Sequence, residues 1–153
     1  MLITSHLLAT LILSQALSLS NSEIFPAIIG GVAIDLDHFF VNDKWQEKIK
    51  NFVAGKKIAT GINQHSWLQE ILFGTFVGMV VGIIISYFFP SIKFWILPVF
   101  ILLHIFLDSL MKFNHRPFIP FSKFTYQGFI PSGTKTEIIL SSIFLIIYII
   151  FIF

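Results

Sequence analysis

Five apolar segments, set apart by two polar ones, organise the chain. The clearest is 71–89, ILFGTFVGMVVGIIISYFF, nineteen residues without a charge. That is long enough to cross a bilayer as a helix. A second runs from Phe94 to Leu107 and continues through Asp108 to Met111. The segment Ile138 to Phe153 has sixteen residues, with a helix start expected at Glu137. Leu2 to Leu19 reads as a fourth helix, interrupted by His6 and Gln15, while Ile24 to Ile34, at eleven residues, reads as a buried or partial span. The first twenty residues superficially resemble a signal peptide. They carry no Lys or Arg before the apolar run and no clear small-x-small site after it, so a retained membrane helix is expected.

The polar segments set the orientation. Residues 39–67 hold Lys44, Lys48, Lys50, Lys56 and Lys57 against Asp43 and Glu47, and residues 112–135 hold Lys112, Arg116, Lys123 and Lys135 with no acid. Two crossings separate the segments, so both fall on one face, and the positive-inside rule makes that face cytoplasmic. Lys93 alone stands opposite, in the turn PSIK. Within the first polar segment Trp45, Ile49, Phe52 and Val53 follow i, i+4, i+7, i+8 spacing. A short amphipathic helix would fit this, lying either on the bilayer or on the protein itself. Gly74, Gly78 and Gly82 form a small-xxx-small stripe that lets helix backbones approach closely, either within the chain or between two copies in an oligomer.

Composition sharpens the class. Of 153 residues 56% are hydrophobic and 12% charged, with mean hydropathy +0.86; a soluble domain would carry about a quarter charged. The expectation is one domain over 1–153, an all-α multi-pass membrane bundle of four to five apolar helices with the lipid bilayer as its partner. A net charge of +2 with scattered bases gives no nucleic-acid signature. Cysteine is absent, which excludes disulfides and thiolate ligands and leaves His, Asp, Glu, backbone or water for any metal: zinc, manganese or magnesium.

Against that background AIDLDHFF, residues 33–40, stands out, with Asp35, Asp37 and His38 ending an apolar run. Burying such groups is costly unless something pairs with them. The topology returns this run to the cytoplasmic face. Asp108 nears the same face with His104 one turn deeper, and residues four apart share a helical face. His6 lies in the first turns of the first helix, His65 ends the first polar segment and Glu137 opens the last helix. Taken singly, each has a plain structural role as a core histidine or a helix cap. Together, Asp35, Asp37, Asp108 and Glu137 sit within or beside apolar segments, where no Lys or Arg is set among them, so repulsion would push protons onto several. A divalent cation relieves that repulsion and satisfies the imidazoles.

The series SHLL at 5–8, DLDH at 35–38, QHS at 64–66, HIFLD at 104–108, PFIPFSKF at 117–124 and GTKTE at 133–137 resembles the YdjM-like inner-membrane metal-dependent hydrolases. The matches come in that family's order and extend over almost the whole chain. The resemblance implies that His6, Asp35, Asp37, His38, His65, His104, Asp108 and Glu137 are ligands or near-ligands. It also implies distant kinship with zinc-dependent phospholipase C and the single-strand zinc nucleases. The chain departs from the pattern in ATGINQHS, where Thr60 and Gly61 stand in place of a His and an Arg, and at Ile34, in place of a common proline. The lost residues could be a ligand and a phosphate-binding charge. His115 and Arg116 either substitute for them in space or belong to an exposed basic loop.

The expected function is metal-dependent hydrolysis of a phosphoester, with a lipid favoured by the membrane setting, at the cytoplasmic face of the inner membrane. Zinc is the favoured ion, and Asp35 or Asp37 is general base where it is not a ligand. The rivals are a metal-binding structural or regulatory membrane protein and a small ion transporter, whose site would sit near the midplane.

Overall fold

A computed structural model describes residues 2–36, 70–112, 114–118, 121–131 and 134–152. Among them are five α-helices: α1 (Ile3–Ala16), α2 (Asn21–Gly31), α3 (Ile71–Phe88), α4 (Ile96–Ser109) and α5 (Lys135–Ile152). A 3-10 turn, Ala33–Leu36, follows α2, and two short strands, β1 (Asn114–His115) and β2 (Tyr126–Gln127), lie between α4 and α5. The apolar runs therefore become helices, trimmed at their ends. The helices α3 and α5 are long and apolar enough to cross a membrane; α1 and α4 are shorter apolar helices. The expected surface helix around Trp45 and Phe52 lies outside the described residues.

Local chemistry sets the helix limits. Ser18 follows α1 with φ of 51°, which allows its N–H to reach the Gln15 carbonyl at 2.9 Å and the Leu19 N–H to reach that of Ser14 at 3.0 Å. This paired closure normally uses glycine, because a Cβ disfavours positive φ. The helix α2 starts at Ser20, whose N–H and hydroxyl both donate to Glu23 Oε2, at 3.0 and 2.8 Å. The Thr134 carbonyl accepts from Glu137 and Ile138 N–H, so α5 begins at Lys135, two residues before the expected Glu137.

Helix α4 is the spine, with α3 and α2 packed along it and α1 joining α2 to α5. Ala27, Ile96 and Phe100 form one core cluster against Leu13 and Leu19; Leu97, Ile101 and Ile105 form a second against Ile34 and Ile85. Glycine allows both close approaches to α4. A Cβ at Gly30 would lie 2.8 Å from the Leu97 carbonyl oxygen, and one at Gly78 would lie 2.7 Å from Ile101 Cδ1. Gly74, Gly78 and Gly82 are all buried, so the small-residue stripe faces the bundle of its own chain.

These contacts give each helix a direction. The last turns of α1 meet the start of α4, and Lys93, just before α4, pairs with Glu23 at the start of α2 at 3.2 Å. Leu2 N–H donates to Glu137 Oε1, and Ser5 hydrogen-bonds Ser141 one turn further along α5. The starts of α1 and α5 therefore share one end of the bundle with the finish of α2 and α4. There the chain folds back over α4: Phe129 and Ile130 N–H donate to the Leu110 carbonyl at 3.0 and 2.9 Å, and Lys112 N–H donates to Ile130 at 2.7 Å. Carbonyls at a helix finish need such partners. The same fold-back pairs β1 with β2, with His115 opposite Tyr126. The sequence pattern did not foreshadow this ribbon, since two-residue strands are too short to show alternation.

Candidate metal centre

Four side chains meet at that end. His6 from α1, Asp35 from the 3-10 turn, and His104 and Asp108 from α4 each offer a ligand atom, all within 4.8 Å of one another. Both imidazoles are fully buried, while the Asp108 and Asp35 side chains keep 7% and 17% exposure. His6 Nε2 lies 3.1 Å from Asp108 Oδ1 and 3.9 Å from Asp35 Oδ2, and His104 Nε2 lies 3.3 Å from Asp35 Oδ1 and 3.4 Å from Asp108 Oδ2. The two rings stack, centroids 4.0 Å apart and planes 14° from parallel.

A backbone group fixes the orientation of His104. Its Nδ1 lies 3.1 Å from the Gly31 carbonyl oxygen. A carbonyl only accepts, so Nδ1 carries a proton, and the ring directs its Nε2 towards two carboxylates. That nitrogen is buried and makes no hydrogen bond among the described residues. A lone pair facing two anionic oxygens is repulsive unless a second proton or a cation lies between them. A single proton on His104 would relieve that ring alone, whereas one divalent cation meets the demand of all four groups together.

The spacing suits an ion. Four-coordinate bonds of about 2.0–2.1 Å place tetrahedral ligand atoms about 3.3–3.4 Å apart. The His–carboxylate contacts, 3.1 to 3.9 Å through both oxygens of each carboxylate, lie near that value, and one atom from each residue falls within 4.8 Å of the others. The four residues could therefore hold a metal ion, and the Gly31 bond to the remote ring nitrogen is the outer support that metal-bound histidines commonly have.

Of the eight residues expected as ligands, the structure brings together His6, Asp35, His104 and Asp108. Asp37, His38 and His65 lie outside the described residues. Glu137 is buried at the same end but is not part of the group; its carboxylate accepts the Leu2 N–H. Two contributors carried no expectation. Gly31 acts through its carbonyl, which no side chain marks. Glu70 stands directly before the longest apolar run, a position that could have drawn notice.

Glu70 belongs to a neighbouring cleft. Its Oε1 accepts the Arg116 N–H at 3.1 Å, and burial raises its carboxyl above the ordinary range, opposed by that bond and by the Arg116 charge. His115, 7% exposed, bonds to the backbone of Met111 and Asp108; burial lowers its imidazole below its ordinary value, opposed by the Asp108 charge. His115 is thus a buried neighbour of the cluster rather than part of an exposed basic loop. It is not among the four clustered groups.

No family model, curated protein or solved structure matches this chain.

Proposed function

We propose that this chain is a multi-pass membrane hydrolase of the YdjM-like type, using zinc to cleave phosphoesters at the cytoplasmic face of the inner membrane. One observation carries the metal-dependent part: His104 Nε2, oriented by the Gly31 carbonyl, is held towards both Asp35 and Asp108. The membrane part draws on α3 and α5, both apolar enough to cross, and on the basic residues Lys112, Arg116, Lys123 and Lys135 gathered near the cluster end. The phosphoester part draws on the ordered motif resemblance alone, with Asp37, His38 and His65 as further ligands on that basis.

His6, His104 and Asp108 are the ligands on this reading, and Asp35, the most exposed of the four, is the general base. A bound divalent ion supplies Lewis acidity and brings a coordinated water towards a pKa of about 7. Asp35 takes the proton of the attacking water, whose oxygen bonds to phosphorus. The ester P–O bond breaks, and the proton passes to the departing alcohol. His104 keeps its place through Gly31, so its donor atom needs no reorientation during turnover.

A non-catalytic metal clamp is the second reading, favoured by one observation: four side chains suffice to close a tetrahedral site, as structural zinc sites are closed. The position of the cluster at one end of the bundle favours either reading over a transporter with a midplane site. Metal analysis of the purified protein together with a phosphoester panel decides. Metal-loaded protein inactive on phospholipid, nucleotide and generic phosphoesters would leave the clamp.

A further inference from the structure

Beside the cluster lies a cleft of about 250 Å³, whose lining includes Glu70, Ile71, Ile105, Ser109, His115 and Phe124. Ile105 follows His104 and Ser109 follows Asp108 in α4, so the cleft runs along a face turned about 100° from the ligands. Drug-sized ligands occupy about 300–1,000 Å³; this volume suits a segment of a larger molecule. The walls are mainly aliphatic and aromatic. Glu70 and His115 add two buried polar groups to the lining, and burial biases each towards its uncharged form.

The position narrows the occupant. Glu70 and Ile71 mark the start of α3, which is apolar enough to cross a membrane; with α3 as a crossing, the cleft falls at the depth where lipid chains begin. Arg116 and Lys123, both exposed, stand next in the chain to the lining residues His115, Pro117 and Phe124, in a segment with no Asp or Glu between 112 and 135. Such a basic rim attracts anionic headgroups.

We propose that this cleft holds one fatty-acyl chain of an anionic phospholipid, with its phosphate drawn to the basic rim beside the metal cluster. The inference depends on the hydrolase reading only for what happens to the lipid, not for where the chain lies.

The test uses full-length protein in phosphatidylcholine nanodiscs doped with phosphatidylglycerol carrying a photoactivatable diazirine in one acyl chain. Wild-type protein should take label on the 114–127 stretch above the level on the outward residues Ile146 and Ile150 of α5, which report general lipid contact. Doping with the same diazirine on phosphatidylcholine should give less cleft label. Ser109→Trp fills the cleft and should cut its labelling by about tenfold, the scale seen when a few methylenes lose their pocket, with α5 labelling unchanged. Phe124→Ala removes a half-exposed wall residue without disturbing the core and should lower labelling at the same place. Cleft labelling no higher than on α5, unchanged in both variants, or equal for the two headgroups would overturn the proposal. Phosphoester turnover is followed on the same samples. Specific labelling without turnover would sink the hydrolase reading and leave the cleft standing.

Discussion

His104 gives its Nδ1 proton to the Gly31 carbonyl across 3.1 Å, so the last residue of one helix aims a nitrogen carried by another. A Cβ on Gly31 would strike Thr10 Oγ1 and push that carbonyl out of line. Gly31→Ala should therefore weaken zinc binding by about 10–100-fold, the usual cost of losing an outer support. Adding Thr10→Ala removes the obstructing hydroxyl and should restore part of the affinity. Competition titration against a chromogenic chelator reads both variants. Unchanged affinity in Gly31→Ala would show that the Gly31 bond does not orient the ligand.

Asp108→Asn keeps the shape of a group that lies within 3.4 Å of both imidazoles and removes its charge. A ligand that binds only the folded state raises apparent stability by mass action. Zinc should thus raise the melting temperature of wild-type protein, and that rise should vanish in Asp108→Asn and His104→Ala. Lys44→Ala should behave like wild type. Full metal content in Asp108→Asn would remove the proposed centre altogether.

The pH dependence of Glu70 has a definite sign. Burial raises its carboxyl above the ordinary 4.5, so the folded state favours the protonated form. The stability this contributes is complete below pH 4.5 and is lost as pH rises through the folded value. Glu70→Gln keeps an oxygen for the Arg116 N–H and has nothing to ionise. Thermal melts from about pH 4 to about pH 8 should show a shallower decline in the variant than in wild type. Parallel curves would mean that Glu70 titrates alike folded and unfolded.

Ser18 closes α1 with a positive φ, which costs a side-chain-bearing residue about 1–2 kcal/mol. Ser18→Gly removes that cost, and the extra backbone freedom of glycine in the unfolded chain takes part of it back. The net expectation is a gain of about 0.5–1 kcal/mol, read as a higher midpoint in denaturant.

Reporter fusions at Lys57 and after Phe153 should fall on opposite sides of the membrane, because three proposed crossings, α3, α4 and α5, separate them. Matching sides would require an even number and would break the five-helix reading.

Much of this was legible in the residues, and the remainder was hidden for identifiable reasons. Charge-free runs over 71–89 and 138–153 announced α3 and α5, because a long apolar stretch has few alternatives to a helix. His104 and Asp108 were readable as a pair since four-residue spacing fixes a common face. Their meeting with His6 and Asp35 was expected from the topology and the ordered motifs; the distances between them depend on the side-by-side packing of three chain segments, which no local pattern encodes. The role of Gly31 was invisible because the group that acts is a carbonyl, shared by every residue. The β1–β2 ribbon escaped because its pairing depends on where α4 stops, and that point is set by carbonyls whose partners lie nearly twenty positions downstream, at Phe129 and Ile130.

The contact between His6 and Asp108 bridges 102 positions, and that separation imposes an order in time. A ribosome adding about 5–20 residues per second leaves His6 waiting roughly 5–20 s before Asp108 exists. Until then the first helix carries an imidazole with no carboxylate from α4 beside it, and the four-residue set is incomplete. Any ion held by the whole set must therefore be taken up after synthesis of α4, as a late event in biogenesis. A nascent chain arrested before His104 should carry its first helices without the ion.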